Sequence, residues 1–440
     1  MTSLEQLGRF VARHEARALP DTLRQKLRLH IADVVGAWVA ATATTEGKAL
    51  IAHRARTSGG LADDVVANCA LARLSEIDDI HLASMTTPGA IVVPAALTIA
   101  ASLPATTAAE LEAAIVGGYE AMIRLGLAID GPSVLYRGIW PTYVGAPLGV
   151  AAVAARLFKL DETQTGHALA SALTLAAPGV GHHNAPTTSR WFAIGNAARG
   201  GLTAALGAQS GFTSDLNLLD GPFLQSVFNI TPKLPALLDG LDQPVSIARL
   251  SFKPWCAARQ TMAAVQALRE IMAAGAGPGD IREIRVAVLP PHLKMIDHGV
   301  AAGDRASFLT SLPYQMAAAA LTPAALDDLS QTRGNVDALQ PFMQRINVTA
   351  SEALLAAGYP DSWSARVTVT TAAGERDNIV SHVPGDPERP FDQPTVTGKF
   401  VRFAAPVLGE TEARALLAKA LGVPDNAGLA AEIVQRIARA

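Results

Sequence analysis

A mainly α-helical protein with an α+β second domain, an all-helical domain interrupted by an α/β lid, is the fold class that this sequence predicts. Three observations lead there. Half of the 440 residues are hydrophobic, yet only 5% are aromatic and 17% charged, and alanine is abundant throughout. Alanine loses the least side-chain entropy in a helix and lets backbones approach, so this composition suits close-packed helices. Apolar residues recur at three- and four-residue spacing from Leu4 to about Ser210, the period of an amphipathic helix. Around Ile247 the pattern changes to polar–apolar alternation, and helical spacing returns near the C-terminal end. The length fits two domains at roughly 150 residues each, with a third possible. The expected boundaries are residues 1–250 for the first part of the helical domain, 251–394 for the lid, and 395–440 for the helical return.

The elements follow in order. Helical spacing covers 23–41, 90–101, 108–129, 146–157, 163–177 and 193–210,. Thr107 is placed as the N-cap of the 108–129 helix, and Gly131-Pro132 ends it,. Asp161 and Gln164 have capping-box spacing for the next helix but one,. Residues 136–145 read as a loop. Residues 282–289 alternate like a strand until Pro290-Pro291 stops them,. Residues 312–321 and 336–344 read as helices. Alternation over 365–371, a turn at Ala373-Gly374 and a return over 377–382 give a β-hairpin,. Pro384 to Pro394 reads as a loop, and 407–440 as helical.

Several classes are excluded. The formal net charge is −3, so the clustered positive charge of a nucleic-acid partner is missing. Cys69 and Cys256 stand far apart in no CxxC pattern, and two reduced thiols are expected rather than a disulfide or metal set. Met1-Thr2-Ser3-Leu4-Glu5 is polar and lacks the basic start and apolar stretch of a signal peptide,. Charged residues or glycine interrupt every alanine-rich stretch before ~18 apolar residues accumulate. No membrane partner and a cytoplasmic location are therefore expected.

The densest polar cluster runs from Ser75-Glu76-Ile77-Asp78-Asp79-Ile80-His81 to Thr86-Thr87-Pro88-Gly89. Three carboxylates and an imidazole there suit proton transfer; helix-capping carboxylates in a solvated turn are the competing reading. No second His or Cys stands at ligand spacing, so no metal is expected. Tyr143, in Tyr136-Arg137-Gly138-Ile139-Trp140-Pro141-Thr142-Tyr143, places a phenol near a helix start, where a phenolate is stabilised,; a boundary tyrosine is the alternative. Gly179-Val180-Gly181-His182-His183-Asn184 follows a helix rather than a strand, which argues against a dinucleotide site,. Arg190 and Arg259 are candidate carboxylate clamps, or else surface ion pairs. Lys253, in Phe252-Lys253-Pro254-Trp255-Cys256, is a candidate for a lowered pKa or a simple bridge between domains,. Tyr314 opens a helix of the second domain.

Taken together, these segments resemble the MmgE/PrpD family, which includes 2-methylcitrate dehydratase, cis-aconitate decarboxylase and iminodisuccinate epimerase. Glu76-Ile77-Asp78-Asp79-Ile80-His81-Leu82 with Thr87-Pro88-Gly89 and Pro94-Ala95-Ala96-Leu97 resembles its DFDDTHL…HPG…PAAL stretch. Gly118-Tyr119-Glu120 with Arg124-Leu125-Gly126 resembles GYE…RLG, and Gly138-Ile139-Trp140-Pro141-Thr142 resembles GFHPT. Thr188-Ser189-Arg190 and the residues to Gly195 resemble MTKRLHAG, and Lys253-Pro254 with Arg259 and Thr261 resembles KPYPCCRHTH. Ser311-Leu312-Pro313-Tyr314 and Gly385-Asp386-Pro387 match outright. The resemblance implies a homodimer, a cleft between domains, and a small anionic polycarboxylate substrate handled without a cofactor.

The departures bear on chemistry. Thr87, Trp140, Ala193, Gln260 and Met262 stand where the dehydratases and decarboxylases have histidine, and Arg190 replaces the lysine of MTKR. A guanidinium holds a carboxylate but is a poor proton donor at neutral pH. What remains suits reversible proton transfer at carbon, closest in function to iminodisuccinate epimerase. Tyr143 and Lys253 are expected as two bases on opposite faces of a substrate Cα, with His81, Asp78 or the His182-His183 pair replacing one of them. Arg190 and Arg259 are expected to stabilise enolate-like charge. Tyr314, Asp79, Thr87 and His182 complete the expected substrate-binding set. An MmgE/PrpD-type lyase using His81, His182 or His183 is the alternative, and a non-catalytic dicarboxylate-binding protein the third reading.

Overall fold

The structure, a computed structural model, describes residues 1–14, 19–177, 187–243, 245–330 and 336–440. The fold is mainly α-helical with an α+β second domain. The chain folds into two compact units. The first comprises the described residues between Met1 and Gly181, with Thr188–Phe252 and Asp392–Ala440; the second comprises those of Lys253–Phe391, with Thr187.

The first unit is a helical bundle. Its central helices are Asp21–Thr42, Leu61–Leu74, Gly89–Ala101, Ala108–Ala128, Pro141–Leu157 and Ser189–Gln209. Small residues set their spacing: a Cβ on Gly201 would lie 2.2 Å from the Pro147 carbonyl oxygen of a neighbouring helix. The expected Asp161–Gln164 capping box forms, and Thr107, expected as an N-cap, closes a box with Glu110 as well. Glu110 N–H donates to Thr107 Oγ1 while the Glu110 carboxylate takes the Thr107 N–H, and Asp161 with Gln164 does the same. Helix Pro141–Leu157 starts five residues before the expected 146, because proline at the first helical position has no N–H to lose,. Tyr143 therefore lies in the first turn of a helix and not in a loop before it. The returning helix likewise begins early, at Gln393 and not near 407, with Asp392 Oδ1 accepting from Thr395 N–H at 2.8 Å.

A two-stranded antiparallel ladder, β1 (Ile80–His81) with β2 (Leu250–Ser251), pairs Ile80 with Ser251 and His81 with Leu250. It joins the acidic loop to the segment that ends this part of the unit at Phe252.

The second unit holds a four-stranded sheet of β3 (Glu283–Val288), β4 (Ile346–Ala350), β5 (Ala365–Thr371) and β6 (Gly374–Val380), in the order β4-β3-β5-β6. Only β3–β4 is parallel. Ile284, Val286 and Val288 alternate inward with Ala365, Val367 and Val369, the period-two pattern of a sheet with one covered face. Helices Arg259–Ala273 and Leu312–Leu321 contribute much of the rest of that core. The hairpin turn falls at Ala372-Ala373, one residue earlier than expected, since Gly374 at φ 118 is already in β6. Strand β4 and helix Arg259–Ala273 add to the elements that the sequence predicts.

Candidate active site

Polar residues of the first unit gather around the 75–88 loop. Asp79 is fully buried. Its Oδ1 accepts the Gly89 N–H at 2.8 Å, at the start of helix Gly89–Ala101, and its Oδ2 accepts the Tyr119 hydroxyl at 2.9 Å. His30 Nδ1 lies 3.1 Å from the same Oδ2. The Gly89 N–H and the Tyr119 hydroxyl thus satisfy one oxygen each of the buried carboxyl group,. Residue 89 has to be glycine for this geometry, because a Cβ there would sit 2.4 Å from Asp79 Oδ2.

Asp78 faces Arg73 at 3.3 Å, and Arg73 also reaches Glu76 at 3.0 Å. Burial works against the charge on Arg73, but Asp78 and Glu76 outweigh it and hold the guanidinium above its ordinary range. Glu76 adopts a left-handed φ of 58° to turn the loop. His81 accepts the Ser84 N–H at Nδ1, which leaves its proton on Nε2. Burial, with Arg249 adding to it, pushes His81 down to about 3, so its imidazole is neutral.

Thr87 N–H donates to Thr142 Oγ1 at 3.1 Å, tying this loop to the first turn of helix Pro141–Leu157. The next residue, Tyr143, is buried and donates its hydroxyl to the Arg190 carbonyl at 2.7 Å. Burial pushes the phenol upward, although Arg73 and Arg190 oppose that shift. The Arg190 guanidinium lies 5.8 Å from the Trp140 ring centre and 5.9 Å from that of Trp191, and Arg73 lies 5.9 Å from Trp191. The first unit therefore brings together Asp78, Asp79, His81, Thr87, Tyr143 and Arg190.

In the second unit Lys253 is buried at the start of the chain segment. Arg259 Nη2 donates to Asp386 Oδ2 at 2.6 Å, and that oxygen also takes the Val383 N–H at 2.8 Å. The Arg259 guanidinium lies 5.8 Å from the Trp363 ring centre. His292 packs against Trp363 and is held at about 3 by burial, with Arg259 adding to it. Tyr314 N–H donates to Ser311 Oγ, and burial, reinforced by Asp328, pushes the phenol up to about 12. His182 and His183 lie outside the described residues.

Comparison with known families now decides the membership. A model described as the MmgE/PrpD N-terminal domain matches residues 5–232, and one described as the MmgE/PrpD C-terminal domain matches residues 255–422. The chain belongs to the MmgE/PrpD family. No individual curated protein matches it. MmgE/PrpD proteins are generally enzymes, which supports an enzyme here. Among the described residues no helix is long and apolar enough to cross a membrane. No group of three or more His, Cys, Asp or Glu among them is arranged to hold a metal ion.

Sequence reasoning missed four residues that contact this candidate cluster: His30, Arg73, Tyr119 and Trp191. His30 carried a usable signal, as a histidine one turn before Asp33 in an otherwise apolar run, Leu29-His30-Ile31-Ala32. Arg73 and Trp191 carried none, because their pairing depends on two helices meeting.

Proposed function

We propose that this MmgE/PrpD protein is a cofactor-independent epimerase or racemase that moves a proton at the carbon next to a carboxylate of a small polycarboxylate such as iminodisuccinate. The observation that carries the reading is the setting of Tyr143: a buried, protonated phenol whose neighbours are the guanidinium-bearing residues Arg73 and Arg190, while the nearby His81 imidazole is neutral and a poor acid,.

In the proposed reaction a base takes the Cα proton and the electron pair moves into the adjacent carboxylate as an enolate-like dianion. A proton delivered to the opposite face then restores the carbon with inverted configuration, so nothing is gained or lost. The two proton-handling roles are assigned to Tyr143 and Lys253, and the stabilisation of growing negative charge to Arg190 and Arg259. Asp79 takes a supporting role, since its oxygens already serve Gly89 and Tyr119.

The test is proton NMR in D2O with iminodisuccinate stereoisomers, aspartate, malate, citrate, methylcitrate and cis-aconitate. Deuterium appearing at Cα with the skeleton intact supports the epimerase, and Tyr143→Phe and Lys253→Ala should each suppress it at least a hundredfold. Loss of water or CO2 from any substrate would make the protein a lyase. Unchanged exchange in both variants would remove the two-base assignment.

A further inference from the structure

His30 is a buried titratable side chain that the proposed chemistry does not use. It lies in the middle of helix Asp21–Thr42 with no exposed surface. Burial lowers its proton affinity, so the imidazole is neutral. Nδ1 lies 3.1 Å from Asp79 Oδ2 without hydrogen-bond geometry, and neither ring nitrogen has a hydrogen-bond partner among the described residues. Burying an imidazole with both nitrogens unsatisfied is unfavourable. The placement of this ring in the core calls for an explanation.

The ring contact supplies one. The His30 imidazole stacks on Phe252 with ring centres 4.0 Å apart and planes within 6° of parallel. Phe252 follows Ser251 of β2, which pairs with Ile80 of β1, and Ile80 follows Asp79. Asp79, His30, Phe252, Ser251 and Ile80 thus form a closed ring of contacts around one side of the ladder. Its polar member, Asp79, is itself fixed by Gly89 and Tyr119. The residue covalently next to Phe252 is Lys253.

We propose that His30 is a positioning residue that acts through the stack on Phe252 to fix the backbone from which Lys253 departs. The catalytic part of this rests on the assignment of Lys253 to proton transfer.

The experiment compares His30→Ala, His30→Phe and His30→Asn in the full chain by two readouts. Amide hydrogen exchange over residues 250–253, referenced to helix Ala108–Ala128, reports the segment directly. Deuterium wash-in to iminodisuccinate reports turnover. His30→Ala should lose protection at 250–253 while the reference helix keeps its own. The same variant should lower kcat roughly ten- to hundredfold with KM within about twofold, the pattern of a displaced reacting group and not of lost binding. His30→Phe, which keeps the stack, should recover most of both, and His30→Asn, which keeps only a polar group, should recover neither. Unchanged protection in His30→Ala overturns the proposal, as does equal rescue by Asn and Phe. Lost protection with Lys253→Ala still active would instead show that His30 orders the segment and that the assignment of Lys253 is at fault.

Discussion

Replacing Lys399 by methionine should unfold the helical unit far more readily than its position suggests. Lys399 lies on helix Gln393–Leu408 and is buried. Its Nζ sits 2.7 Å from Asp33 Oδ1 and donates to the Ile77 carbonyl at 2.7 Å. Burial raises the proton affinity of Asp33 and lowers that of Lys399, and each side chain partly offsets this for the other. Removing the cation leaves a carboxylate in the core without its counter-charge, which costs about 3–5 kcal/mol. The bereft Ile77 carbonyl adds about 1 kcal/mol. For a unit of this size each kcal/mol lowers the melting temperature by ~2 °C, so the expected drop is of order 8–12 °C. Thermal unfolding followed by far-ultraviolet circular dichroism, which reports chiefly this helical unit, measures it. Adding Asp33→Asn should recover about half of the loss or more, because the double variant no longer buries a charge. The Lys399→Met deficit should also shrink as pH falls toward about 4. Asp33, its pKa raised further without Lys399, then takes up a proton in the folded state before it would in the unfolded chain. Additive losses in the double variant, or a deficit independent of pH, would refute the reasoning.

Two further outcomes follow from the site region. His81 and His292 are both held at about 3 by burial, so the unfolded chain binds protons that the folded chain refuses. Stability should decline as pH falls from about 6.5 toward 3, by up to ~1.4 kcal/mol per pH unit for each imidazole. Urea midpoints measured across that range check this, and His292→Leu should flatten the slope. Gly89→Ala pushes a methyl group against the Asp79 carboxylate and should cost ~1–3 kcal/mol; a wild-type urea midpoint in that variant would show that the loop yields without strain.

What is legible in the sequence is what local chemistry encodes. The Asp161–Gln164 box spans three residues and forms as its spacing predicts, Thr107 caps the helix it precedes, and the alternation makes β3 and β5. Prolines mislead where they sit at helix starts: Pro141 and Pro394 lie in first turns, where a missing N–H costs nothing,. Strand β4 gives little signal because its inward face is short, with only Ile346 buried. Within the candidate site, family-like motifs point to Asp78, Asp79, His81 and Arg190, and a place near a helix start points to Tyr143. The partners that orient them are hidden. Tyr119 and His30 meet Asp79 only after three separate segments pack, and Trp191 receives two guanidiniums from different helices. No periodicity or spacing encodes such encounters.

The return of the chain to its first unit also sets an order of events during synthesis. Lys399 follows its acceptor Ile77 by 322 positions. At ~5–20 residues per second the ribosome needs roughly 15–65 s to make the intervening segment. Throughout that interval Asp33 waits without its cation, and the apolar surface that helix Gln393–Leu408 covers stays open. A nascent chain of this design is an expected client of holding chaperones, which would release it once the closing helix has left the exit tunnel.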